Sequence, residues 1–203
     1  MSLKNLFIAI ILGVALAAGV FLSVRMAGKV TVPETATILP SPVTLPAFDL
    51  IDHTGAAVDR SVFEGHWNLV FFGFTHCPDV CPLTLQTLAT AKRRLAETGH
   101  DELPRIVLVS VDPERDTPDQ LAAYLKNFGD NNLGLTGDVE EIRKLTSALG
   151  IYFDKVDTDS EYYVVDHSAV VLVIGPDGLY RALFSSPHKP EQFVHDLPLL
   201  MNQ

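Results

Sequence analysis

From Asn68 the chain runs through Leu, Val, Phe, Phe, Gly and Phe74, then passes without a break into Thr75-His76-Cys77-Pro78-Asp79-Val80-Cys81-Pro82. A strand that is apolar on both faces must be covered on both, so this run demands a layered fold with the strand at its centre. The stretch after the second cysteine carries a helical pattern: Leu85, Leu88, Ala89 and Leu95 recur at helical spacing, Lys92, Arg93 and Arg94 fall late, and Gly99 marks an end. The two cysteines therefore stand where a buried strand gives way to a helix.

The strand-then-helix pattern repeats. Arg105 to Val111 reads as a strand, and Thr117-Pro118-Asp119-Gln120 opens a helix with a cap and a proline at its first position. Asp138 and Glu141 open another, expected to close at Gly150. Ile151 to Val156 and Tyr162 to Ile174 read as strands, Gly175-Pro176-Asp177-Gly178 as a turn and Leu179 to Phe184 as the returning strand. Pro190 begins a last helix, which Pro198 should interrupt. Upstream, Phe48 to Asp52 and Ala56 to Val58 form a hairpin about Gly55. The predicted class is α/β, with a central mixed sheet flanked by helices. A thioredoxin-like architecture fits that order.

The first forty residues differ in character. Leu6 to Val24 holds no charge and, as a helix at about 1.5 Å per residue, would span roughly 28 Å, enough for a single transmembrane helix. A cleaved signal peptide is the competing reading, since Ala17, Ala18 and Gly19 could sit near a cleavage site, but the run is long and Arg25 and Lys29 follow it without a clear A-x-A site. Residues 1–29 are read as an anchor, 30–46 as a spacer containing Pro33, Pro40, Pro42 and Pro46, and 47–203 as one folded domain. With 47% hydrophobic and 20% charged residues the chain as a whole has enough apolar material for a packed core. A net charge of −10 argues against nucleic acid as a partner.

Cys77 and Cys81 are the only cysteines. Four residues apart on a helix they would share a face at about 6 Å, within the reach of a disulfide. A structural bridge over so short a loop adds little stability, which favours reactive or metal-binding thiols. A four-cysteine zinc or iron–sulfur site cannot be built in the monomer, and C-x-x-C-H, the covalent haem signature, is absent. Copper remains open, because thiolates select copper(I) and imidazole suits both oxidation states. Of the seven histidines, His76 adjoins Cys77 but sits on the strand-to-helix corner, whereas His167 interrupts the apolar strand Val-Val-Asp-His-Ser-Ala-Val-Val. Sequence alone leaves His167 open between a ligand and a hydrogen-bonded core histidine.

Three segments in order, F-T-H-C-P-D-V-C-P-L-T-L, V-S-V-D-P-E-R-D-T-P and V-V-D-H-S-A-V, closely resemble the Sco/SenC family. The resemblance covers essentially the whole exported domain. It implies copper held by Cys77, Cys81 and His167, and a metallochaperone role in assembling the copper centre of cytochrome c oxidase, as metal donor, as thiol reductant of the oxidase cysteines, or both. The oxidase's copper-site subunit or another copper chaperone would then be the partner. The spanning run Leu6 to Val24 and a cysteine chemistry suited to an exported site lead to the expectation of a periplasmic domain tethered to a bacterial inner membrane. Asp79 and Asp166 are candidates to tune these ligands from outside, and Asp112 in the second motif is a weaker one. The rival is a membrane-anchored thiol-disulfide oxidoreductase in which Cys77 attacks and Cys81 resolves. Against it, the spacing is C-x-x-x-C and no proline lies between residues 119 and 175. A peroxidase would share the fold without further support.

Overall fold

The computed structural model describes residues 3–26, 32–100, 102–156 and 163–202. The chain divides into two units, one ending at Val32 and one beginning at Pro33. In the first, a single helix, α1 (Leu3–Met26), contains the stretch Leu3–Phe21, which by length and composition can cross a membrane.

The second unit is built on an eight-stranded sheet. In chain order its strands are β1 (Thr37–Thr44), β2 (Leu50–Asp52), β3 (Ala57–Val58), β4 (Asn68–Gly73), β5 (Arg105–Ser110), β6 (Leu133–Thr136), β9 (Val171–Ile174) and β10 (Leu179–Phe184). Two further strands, β7 (Phe153–Val156) and β8 (Val164–His167), pair only with each other, as an antiparallel hairpin. Across the main sheet the order is β1-β10-β9-β4-β5-β6-β2-β3. The centre, β4-β5-β6, is parallel, and β9, β10, β1 and β2 join it antiparallel, so the sheet is mixed as expected. The helices are α2 (Val80–Glu97), α3 (Pro118–Leu125), α4 (Val139–Leu149) and α5 (Pro190–Met201).

The apolar run that constrains the fold is the central strand. All six residues of β4 are buried, as are all four of β9, and α2 turns Leu85, Leu88, Ala91 and Leu95 inward. Full burial of a Leu or Phe contributes about 1.5–3 kcal/mol, so this strand and its cover dominate the unit's stability. α4 ends where Gly150 takes a left-handed conformation, φ 69° and ψ 26°, as the sequence required.

Four local expectations are revised. Residues 37–44, read by composition as part of an extended spacer, form β1 and pair with β10. Their prolines are tolerated because this is an edge strand whose side chains are almost all exposed. β6 escaped the sequence reading because Leu-Gly-Leu-Thr is short and carries a glycine. The single strand expected from 162 to 174 is split: Tyr162 lies outside the described residues, β8 ends at His167, and β9 starts at Val171 in a different sheet. Finally, α5 continues through Pro198.

α5 also closes the unit. Asp196, with no exposed side-chain surface, accepts hydrogen bonds from the backbone N–H groups of Glu34, Thr35 and Ala36 at 2.8–2.9 Å and from the Thr35 hydroxyl at 2.6 Å. Burial alone would raise its pKa, but these bonds and the His195 imidazole outweigh it and hold the carboxyl far below the usual range. The start of the unit is thereby fastened to its last helix.

Candidate metal centre

The two cysteines meet by a route other than the one their spacing suggests. α2 begins at Val80, so Cys81 lies in its first turn while Cys77 precedes the helix, its N–H donating to Phe74 O at 3.3 Å. The turn after β4, and not a shared helical face, brings the sulfurs together. Gly73 makes the room: a Cβ there would fall 2.9 Å from Cys81 Sγ and 2.7 Å from Phe71 Cε1.

His167 arrives from the far side, at the end of β8. Its Nε2 stands 3.3 Å from Cys81 Sγ, and its ring is held edge-on by Phe71 and Phe74, with centroids at 5.7 and 5.8 Å. One donor atom each from Cys77, Cys81 and His167 lie within 4.8 Å of one another. Both cysteines are reduced and buried, Cys81 completely and Cys77 to 9% exposure.

The two thiols are electrostatically unlike. Cys77 is lowered to about 4, chiefly because the Cys81 thiol donates to its sulfur, with help from His167 and the backbone N–H groups of Asp79 and Cys81 and against the cost of burial. Cys81 is pushed far up, because its proton is held by Cys77 and its site is desolvated. The shared hydrogen bond thus favours the thiolate on Cys77 and the thiol on Cys81. Two sulfurs and an imidazole make a soft donor set suited to a thiophilic metal such as copper(I).

The other predicted residues fall around this centre in different ways. Asp79 is exposed and caps α2 without a side-chain hydrogen bond, so its backbone, and not its carboxylate, reaches Cys77. Asp166 is exposed, and the His167 Nδ1 lies 3.3 Å from the Ser168 carbonyl, which occupies the orienting position expected of Asp166. Asp112 is buried but turns toward Tyr163 and Arg115. His76 sits beside the Thr75 hydroxyl at 3.0 Å and is half-exposed, outside the donor cluster.

Sequence reasoning missed Asp116. This fully buried carboxylate accepts from Thr75 N, Thr75 Oγ1 and Ser110 Oγ at 2.6–2.9 Å, fixing the turn that delivers Cys77. It stands in the second motif together with Asp112, and only the fold shows which of the two faces Thr75.

The chain is similar to known proteins over most of its length. A model of the SCO1/SenC family matches residues 38–202. The mitochondrial SCO2 homolog of Bos taurus is 39% identical over 72% of this chain and 56% of its own length; the mitochondrial SCO1 homolog of Homo sapiens is 35% identical over 90% and 61%. The chain thus spans little more than half the length of these relatives. Among solved structures, Arabidopsis thaliana ScoI with copper bound superposes with a TM-score of 0.70 at 34% identity, covering 75% of this chain and 94% of that one. Apo Sco1 of Thermus thermophilus gives 0.71 at 35%, covering 85% and 99%. With a match running from the first sheet strand to the end of the last helix, and the same thioredoxin-like architecture in its solved relatives, the chain belongs to the SCO1/SenC family.

Proposed function

We propose that this chain is a membrane-tethered copper-binding protein that holds one copper ion through Cys77, Cys81 and His167 and delivers it during assembly of the copper centre of cytochrome c oxidase. The observation that carries this reading is the convergence of two sulfurs and an imidazole within 4.8 Å. The copper-bound state of the Arabidopsis thaliana relative supports the choice of metal. Residues 1–29 serve as the anchor, with α1 crossing the inner membrane of a bacterium, and the folded unit that begins at Pro33 carries the site in the periplasm. The partner is the oxidase's copper-site subunit or a second copper carrier, and copper is cargo.

The test is an anaerobic copper(I) titration of the full reduced chain in detergent. One equivalent is expected to bind, with binding strongly weakened in Cys77→Ala and Cys81→Ala. A parent that takes up no copper, or cysteine variants that bind as tightly, would refute the proposal. Fractionation tests the anchor: the protein should stay with the membrane after salt washing and keep residues 3–26.

The low Cys77 pKa favours one alternative, a dithiol reductant of a partner's disulfide. Cys77 thiolate would attack one partner sulfur and release the other as thiolate; Cys81 would then lose its proton, close the Cys77–Cys81 bond and free the first sulfur, transferring two electrons. His167→Ala separates the readings, because copper delivery needs the imidazole and disulfide reduction does not.

A further inference from the structure

The hairpin that delivers His167 has little to hold it. β7 and β8 lie outside the main sheet, and of their eight residues only Phe153 and Val165 are buried. A two-stranded hairpin is marginal in water without a third strand or a packed face. Arg143 of α4 holds the β7 side, 4.7 Å from the Phe153 ring centroid and 4.0 Å from Asp154; the β8 side needs a hold of its own, since the imidazole cannot keep its 3.3 Å approach to Cys81 on a strand that lifts away.

Immediately before β8, Tyr163 makes a concentrated set of contacts to the loop between β5 and α3. Its hydroxyl donates to buried Asp112 at 2.7 Å and also lies 3.3 Å from Glu114 Oε2. Its ring carries two cations, the Arg115 guanidinium and the Lys155 ammonium, each 3.8 Å from the centroid. Arg115 pairs with Asp112 through Nε and reaches the Tyr163 carbonyl at 3.3 Å through Nη1. Lys155, on β7, pairs with Glu114 at 2.9 Å, so both strands of the hairpin are drawn to the same loop. Arg115 further lies 5.6 Å from the centroid of Phe74, one of the two rings against His167.

We propose that Tyr163 is a positioning residue for the metal centre: a clasp that fastens the β7–β8 hairpin to the Asp112–Arg115 loop and so sets where His167 stands relative to the two sulfurs. In its metal arm this rests on the proposed copper function. Tyr163 touches none of the three donor atoms. It acts on them only through the strand, and the side of the centre it governs is the nitrogen side.

The experiment uses the full chain in detergent, comparing the parent with Tyr163→Ala, Tyr163→Phe and His167→Ala. In metal-free protein, amide hydrogen exchange at residues 164–167 should quicken by at least about tenfold in Tyr163→Ala, as expected for a segment released to local opening, while β4 and β5 stay protected. With added copper(II), the affinity of Tyr163→Ala should fall about tenfold, the size of effect seen when the support of a ligand is removed. Its electron paramagnetic resonance spectrum should move toward that of His167→Ala. Tyr163→Phe, which keeps the ring between its cations, should lie between parent and Tyr163→Ala. Copper(I), held by the sulfurs, should change least.

Unchanged exchange at 164–167 in a folded Tyr163→Ala protein overturns the clasp. Faster exchange with unaltered copper(II) affinity and spectrum overturns its bearing on the metal. A parent that binds no copper refutes the copper reading instead, and the exchange comparison still decides whether Tyr163 holds the hairpin.

Discussion

The asymmetry between the two thiols can be tested by removing the proton donor. In the parent, Cys77 titrates at about 4, so at pH 5 roughly nine in ten molecules carry the thiolate. The first cause of that low value is the hydrogen bond from Cys81, and Cys81→Ala removes it while leaving His167 and the backbone N–H groups of residues 79 and 81 in place. A hydrogen bond to a charged group contributes about 1.5–3 kcal/mol, which at 1.36 kcal/mol per pH unit raises the midpoint by about 1 to 2 units. The variant should then titrate near roughly 5–6 and hold about 10–50% thiolate at pH 5. Ultraviolet thiolate absorbance of the metal-free chain, followed from acid to neutral pH, reads this directly. Cys77→Ala should abolish the acid inflection, since the remaining thiol is buried. A parent that titrates in the ordinary thiol range, or a Cys81→Ala midpoint identical to the parent's, would refute the assignment of donor and acceptor.

His167→Ala should keep the fold and both free thiols but lose at least about tenfold in copper(II) affinity, with copper(I) less affected; competition titration in each oxidation state checks this. Gly73→Ala places a methyl 2.9 Å from Cys81 Sγ and 2.7 Å from Phe71, and should destabilise by about 1–3 kcal/mol while weakening copper binding, read from paired denaturation and titration. Asp196→Asn should cost about 2–4 kcal/mol at neutral pH by loss of charge-assisted bonds to Glu34, Thr35 and Ala36, measured by guanidinium unfolding with Trp67 fluorescence. Because the folded Asp196 pKa is depressed, its contribution is complete above the unfolded value near about 3.9 and is lost as pH falls through the folded one, so parent and variant should converge in acid. A purified fragment beginning at residue 42 should be less stable than one beginning at 33, since it leaves Asp196 with only His195; thermal unfolding of the two compares them.

Much of this was legible in the sequence for reasons that can be named. The β4 run announced a strand buried on both faces, and the alternation downstream of it announced parallel strands with crossover helices. Cys77 and Cys81 stood out as the only cysteines, at a strand-to-helix junction, whereas His167 stayed open between ligand and core histidine until the resemblance of its motif to the Sco/SenC family implied a ligand. What could not be read is how they meet. The sulfurs converge through a turn before α2 and the space left by the missing side chain of Gly73, neither of which spacing reveals. β8 looked continuous with β9 because both are apolar, yet the two lie in different sheets with only three residues of linking chain between them. Asp112 and Asp116 are four apart in one motif and diverge completely: one faces Tyr163, the other Thr75. Which carboxylate serves which loop depends on tertiary contacts that no local pattern encodes.

Cys81 lies wholly beneath the surface, whereas Cys77 and His167 keep some exposure. Under the proposed copper function, Cys77 and the imidazole would be the outward donors and Cys81 the inward one. In the alternative thiol reading, another protein's sulfur would reach Cys77 before the fully buried Cys81. Handing over cargo and closing on a thiol partner would thus both involve the same outward sulfur.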